Sequence, residues 1–153
     1  MTRDAQLDGD ELIIARHLDA SAALVWEAFT TPAHLAAFWG GDHATIPPDS
    51  VHVDLRVGGV FQLQTRGPDG NGRLLRFTYE VIDEPRLLVL AEPQTGIWTE
   101  IRLHPAGTGT DLVVHQRRLP PELQTEQAKN GLEGILDRLD DLVILLEQRA
   151  GHS

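Results

Sequence analysis

The chain has 153 residues, 41% hydrophobic and 24% charged, which suits one domain with a buried core. A formal net charge of −10 without a Lys/Arg cluster argues against nucleic acid as a partner. The absence of cysteine excludes disulfides, thiolate chemistry and cysteine-ligated zinc.

No apolar run approaches the roughly 18 residues of a membrane span, so membrane insertion is not expected. Residues 1–10 are polar, read as a short arm, and hold no apolar signal core. A cytoplasmic protein is the expectation. Residues 11–149 read as a single domain.

Glu11 to Leu18 is the first strand, with Leu12, Ile14 and Leu18 on one face and Arg16 sharing it. Asp19 or Ser21 can cap a short helix carrying Leu24, Val25, Ala28 and Phe29. Thr31-Pro32 opens a second short helix with Leu35, Phe38 and Trp39, which Gly40-Gly41 stops. After a loop holding Pro47-Pro48, Val51, Val53 and Leu55 alternate with polar residues as a strand. Val57-Gly58-Gly59 turns the chain into a strand from Val60 to Thr65.

A turn cluster from Arg66 to Gly72 leads to a strand from Leu74 to Ile82, with Phe77, Tyr79 and Val81 alternating. Leu87 to Ala91, Ile97 to His104 and Asp111 to Arg117 complete the strands. From Pro120 to Arg149, Ala128, Leu132, Ile135, Leu136, Leu139, Leu142, Val143 and Leu146 recur at three- and four-residue steps. They form one face of a long amphipathic helix. Strands grouped apart from helices indicate an α+β fold. An antiparallel sheet with one apolar face needs a cover, and the long helix is the element able to supply it. A curved sheet around a helix leaves a cavity unless large side chains fill it.

Several stretches, taken together, are similar to one family. They are Asp19-Ala20, Leu24-Val25-Trp26, Thr30-Thr31-Pro32-Ala33-His34-Leu35 and Phe38-Trp39-Gly40. Asp54-Leu55-Arg56-Val57-Gly58-Gly59 resembles that family's Asp-x-Arg-x-Gly-Gly turn, and Gly131 through Leu139 its helix pattern. The family is that of the homologues of the activator of the heat-shock-chaperone ATPase, in the START-like (SRPBCC) superfamily. The resemblance covers nearly all of residues 11–148. It implies the helix-grip fold: a seven-stranded antiparallel sheet wrapped around the C-terminal helix, with two short helices after the first strand. It also implies a cavity for a small hydrophobic or amphipathic molecule. Two positions depart from the pattern. Leu132 stands where the family helix usually carries Trp, and Gln116 where the last strand often ends in His.

The candidate ligand-binding residues are Trp39, Phe61, Leu63, Phe77, Tyr79, Trp98, Gln116, Leu132, Ile135 and Leu139. The plain alternative is that they simply make the core. Trp98 faces out if Thr99, Ile101 and Leu103 face in. Arg16, His52 and Glu80 are candidate polar contacts; Arg16 paired with Glu80 or Asp54 is the structural alternative. Seven scattered histidines show no metal-ligand spacing, and no P-loop, nucleophile elbow or dinucleotide fingerprint is present. No metal or cofactor is expected. The leading expectation is a non-enzymatic binding module. A cyclase or aromatase acting through Arg16, His52, Tyr79 or Glu80 is one alternative, and a protein-interaction domain is another. A homodimer is compatible with the sequence.

Overall fold

The structure is a computed structural model and describes residues 3–41 and 44–150. Eight strands and three α-helices follow in the order β1 (Arg3–Asp8), β2 (Glu11–Leu18), α1 (Ala22–Thr30), α2 (Pro32–Phe38), β3 (His52–Val53), β4 (Val60–Arg66), β5 (Gly72–Asp83), β6 (Leu87–Ala91), β7 (Trp98–Ala106), β8 (Gly109–Arg117) and α3 (Glu126–Ala150). The strands form one antiparallel sheet ordered β1-β2-β8-β7-β6-β5-β4-β3. The chain leaves β2 through α1 and α2, re-enters at the far edge with β3, and meanders back until β8 docks on β2. This is the α+β helix-grip arrangement, with the long helix packed on the two short ones and on β2.

The first helix is capped by Ser21, whose Oγ accepts from the Leu24 backbone N–H. It buries Val25, Trp26, Ala28 and Phe29. Thr31 is the N-cap of α2 and Pro32 its first residue, a position where the missing N–H costs nothing. At 25 residues, α3 is about 37 Å long. Leu136, Leu139, Val143 and Leu146 form its buried stripe. They join Leu12, Ile14, Leu18, Leu112 and Val114 from the sheet in one core.

The structure departs from the sequence reading in four places. Residues 3–8, read as part of a polar arm, form the edge strand β1, so the sheet has eight strands and not seven. Ala5 and Leu7 lie opposite Ile14 and Leu12 and pack against the rim of the core. The strand expected over Val51–Leu55 shrinks to His52–Val53, because Pro48–Ser50 forms a 3-10 turn and Asp54 already belongs to the turn before β4. The last helix starts at Glu126 and not at Pro120. A separate 3-10 turn occupies Pro121–Leu123, and the Thr125 hydroxyl takes the Ala128 N–H. Finally, a β-bulge between Tyr79 and Val81 resets the alternation of β5. Tyr79 is buried, Val81 is exposed and Ile82 turns partly inward.

One glycine of the Gly58-Gly59 turn is dictated by space. A Cβ on Gly59 would lie 2.1 Å from the Asp54 carbonyl oxygen. The closeness lets Gly58 N–H donate to the Tyr79 carbonyl and Tyr79 N–H to the Gly59 carbonyl. Asp54 and Arg56 pair locally, Arg56 Nε to Asp54 Oδ2 at 2.8 Å.

Candidate functional site

A cavity of about 190 Å³ lies between the sheet and α3. Its sheet wall comes from Leu75 and Phe77 on β5, Thr99 and Ile101 on β7, and Val114 and Gln116 on β8. Leu132, Ile135 and Leu136 of α3 form the opposite wall, and Phe29 and Trp39 close one end. Arg73, Ile97, Gln116, Leu123, Leu132 and Ile135 also line an adjoining outer space that Leu12, Leu119 and Gly131 help to bound. The inner space therefore lies side by side with an outer space, here termed the mouth, beside the start of α3.

Alternation sets these positions. On β7, Thr99 and Ile101 face the cavity, so Trp98 takes the other face, opposite Ala91 and Arg117. On β8 the same rule points Val114 and Gln116 inward. His115 points away and meets Glu11 Oε1 at 2.7 Å. The end wall is an aromatic stack. Trp39 meets Phe61 and Phe77 edge-on, at centroid distances of 5.2 and 5.9 Å, and Phe61 stacks on Phe77 at 5.3 Å and on Tyr79 at 6.4 Å.

Of the residues named from sequence, Trp39, Phe77, Gln116, Leu132 and Ile135 line this cavity. Phe61, Leu63, Tyr79 and Leu139 are fully buried in the packing and do not line it. Phe61 and Tyr79 stand behind Phe77 in the aromatic stack. Leu139 lies one helical turn beyond Ile135, where α3 packs on the short helices. Trp98 is on the wrong face.

The polar candidates also stand outside the lining. Arg16 is 4% exposed and does not pair with Glu80 or Asp54. Its Nη1 donates to Asp137 Oδ1 at 2.7 Å and to the Glu133 carbonyl at 3.4 Å, fastening β2 to α3. The strand order explains the partner: β2 and β5 are four strand spacings apart, about 19 Å along the sheet. Glu80 is exposed and accepts from Thr78 Oγ1 at 3.4 Å. His52 is exposed on a shallow surface depression with Val53 and Gln62. The Tyr79 hydroxyl is buried without a hydrogen-bond partner among the described residues. Burial, and then the charge of Asp54, push its pKa well above the usual tyrosine range.

Of the cavity's own polar set, sequence reasoning missed Arg73 and Glu92 and had Thr99 only as an inward-facing position on β7. Glu92 is 5% exposed and one of its oxygens accepts from Thr95 Oγ1. Gln116 Nε2 donates to Thr99 Oγ1 at 3.4 Å, and Arg73 is an exposed cation at the mouth. A signal for Glu92 was present. Leu88, Leu90 and Glu92 fall at two-residue spacing, so the carboxylate extends an apolar inward face. Among the described residues, no three His, Asp or Glu side chains converge as a metal site, and no helix is long and apolar enough to cross a membrane.

The family model described as Activator of Hsp90 ATPase homolog 1-like protein matches residues 19–143. In three dimensions the chain is similar to a protein from Rhodobacter sphaeroides, at 22% identity and a TM-score of 0.81, covering 94% of this chain and 100% of that one. A protein from Chromobacterium violaceum gives 23% identity and a TM-score of 0.81, over 87% and 96% of the two chains. The AHSA1-like protein from Aeromonas hydrophila gives 22% identity and a TM-score of 0.75, over 94% and 95%. At these identities the likeness is one of fold. No curated protein matches the chain in sequence. With the family model matching from the cap of α1 into the last turns of α3, the chain belongs to the Activator of Hsp90 ATPase homolog 1-like family.

Proposed function

We propose that the chain is a binding module for a small hydrophobic or amphipathic molecule held between the sheet and α3. The observation that carries this reading is the cavity of about 190 Å³, apolar over most of its wall and sharing part of that wall with the outer mouth. An engineered apolar cavity of about 150 Å³ takes benzene, so the inner space suits one or two fused rings. Apolar walls with a few convergent polar groups are the usual composition of a small-molecule site. The acid–base alternative has less support, since Arg16, His52, Tyr79 and Glu80 all stand outside the lining.

The test is a thermal-shift and calorimetric titration with 2-methylnaphthalene, on the wild type and on Leu132→Trp. Leu132 lines both the inner space and the mouth, so an indole there fills the entrance. Saturation at 100 Kd is expected to raise the wild-type Tm by about 5–10 °C. The variant should fold and show no such shift. Absence of binding to the wild type, or equal binding to Leu132→Trp, would overturn the proposal.

A further inference from the structure

Glu92 stands out among the groups facing the cavity. It follows β6 directly, and its backbone is fixed by the hairpin: its N–H donates to the Ile97 carbonyl at 2.9 Å, and its carbonyl accepts from Gly96 N–H at 2.8 Å. Thr95 Oγ1 donates to Oε1 and holds the carboxylate in one orientation. Oε2 has no partner among the described residues. The side chain is 5% exposed, so it is withdrawn from bulk water, yet it lines the inner space. Oε2 is not one of the fully buried unpartnered atoms, so it is an acceptor that a molecule entering the cavity can still reach. The other inward polar groups do not supply a donor to it. Thr99 Oγ1 and Gln116 Nε2 are engaged with each other. Arg73 is exposed and lines the mouth as well as the inner space.

From this geometry we infer that Glu92 reads the ligand's head group: the bound molecule is a fused or single ring system carrying a neutral hydrogen-bond donor, a hydroxyl or ring N–H, directed at Glu92 Oε2. The inference rests on the binding role proposed above and names the class of ligand for it. A ligand anion is disfavoured by the like charge of Glu92. An ammonium is less suited than a neutral donor, because Arg73 lines the same space. An acceptor elsewhere on the ring system could face Arg73 at the mouth, leaving the apolar body against Phe77, Ile101 and Leu136.

The experiment is a calorimetric series on the full chain with 2-naphthol, 2-methoxynaphthalene, 2-methylnaphthalene and 2-naphthoate. Wild-type protein should bind 2-naphthol about 10-fold or more tighter than 2-methoxynaphthalene, the value of a hydrogen bond to a charged group, and 2-naphthoate weakest. Glu92→Gln, which can still accept from Thr95, should narrow the preference for 2-naphthol over 2-methoxynaphthalene to about 3-fold or less. Equal binding of 2-naphthol and 2-methoxynaphthalene to the wild type would overturn the role of Glu92 while leaving the binding module standing. Failure of every member of the series to bind would overturn both. The wild-type comparison decides the matter even if Glu92→Gln fails to fold.

Discussion

Arg16 offers the sharpest test of whether a buried polar group here serves the structure or a ligand. It is 4% exposed, and among the described residues two of its nitrogens, Nε and Nη2, are buried without partners and only Nη1 is engaged. Asp137, which neutralises it, is 47% exposed. Removing one partner of a fully buried pair costs about 3–5 kcal/mol, because the other charge is stranded. Asp137 is half in water, so that figure is discounted: Asp137→Ala should lose about 1–3 kcal/mol. Arg16→Met keeps the stem length and removes the poorly satisfied guanidinium. Its stability should lie between unchanged and about 2 kcal/mol above wild type. Asp137→Ala should cost less in the Arg16→Met background than in wild type, and what it still costs there belongs to Asp137's other interactions. Urea unfolding reads all four proteins, and a 2-methylnaphthalene titration should return the wild-type Kd for Arg16→Met. An Arg16→Met protein more than about 2 kcal/mol less stable than wild type, or one that no longer binds the probe, would refute the reasoning.

The Tyr79 hydroxyl is buried and has no partner among the described residues, so Tyr79→Phe should be neutral or stabilising by about 0.5–1 kcal/mol in urea unfolding at pH 7. Its pKa is raised above the ordinary 10.0 first by burial and then by Asp54, so the folded protein keeps a proton that the unfolded chain gives up. Stability due to this group is therefore complete below pH 10 and falls as pH climbs past it, by about 1.4 kcal/mol per pH unit relative to Tyr79→Phe. The chain has a single tyrosine, so tyrosinate absorbance reports it directly; a folded-state midpoint near pH 10 would contradict the burial argument. Gly59→Ala places a Cβ 2.1 Å from the Asp54 carbonyl oxygen and 2.9 Å from that of Arg56, both backbone atoms. A loss of about 3 kcal/mol or more in urea unfolding is expected.

The fold was legible because its signals are long and redundant. The apolar stripe of α3 repeats over many turns, and the strands β2 and β4, with β8 from Thr110 to His115, keep the alternation. What escaped was local. A short polar strand such as β1 has almost no apolar pattern and is fixed by pairing with β2, not by its own residues. The bulge in β5 reverses which of Glu80, Val81 and Ile82 turns inward, and no residue in that stretch announces it. Half of the candidate wall was misplaced for a related reason. Parity says which face a side chain takes, but not how deep it lies. Phe61 and Tyr79 are inward-facing yet screened by Phe77, while Glu92 and Arg73 reach the cavity from strand ends and hairpins that sequence treats as solvent.

The surroundings of the two glycines of α3 bear on how that depth is set. At Gly134 the helix backbone is approached by the loop after α2: a Cβ on Gly41 would lie 3.2 Å from Ile135 Cγ1 and 3.6 Å from the Gly134 carbonyl carbon. The glycine this approach requires is Gly41, whose φ of +62° and closeness to α3 leave little room for a side chain. Gly131 is one turn earlier, beside the mouth, and a Cβ there would meet nothing within 4 Å. Packing gives no reason for glycine at that place, and a helix interior favours Ala over Gly by about 1 kcal/mol. Gly131→Ala should therefore stabilise the chain by about 0.5–1 kcal/mol in urea unfolding. The same methyl projects toward the outer space, so a ligand long enough to leave the inner cavity should bind several-fold more weakly, while 2-methylnaphthalene should bind as before. A destabilised Gly131→Ala would show that the space is closed in solution, and that the helix lies nearer the sheet than these distances allow.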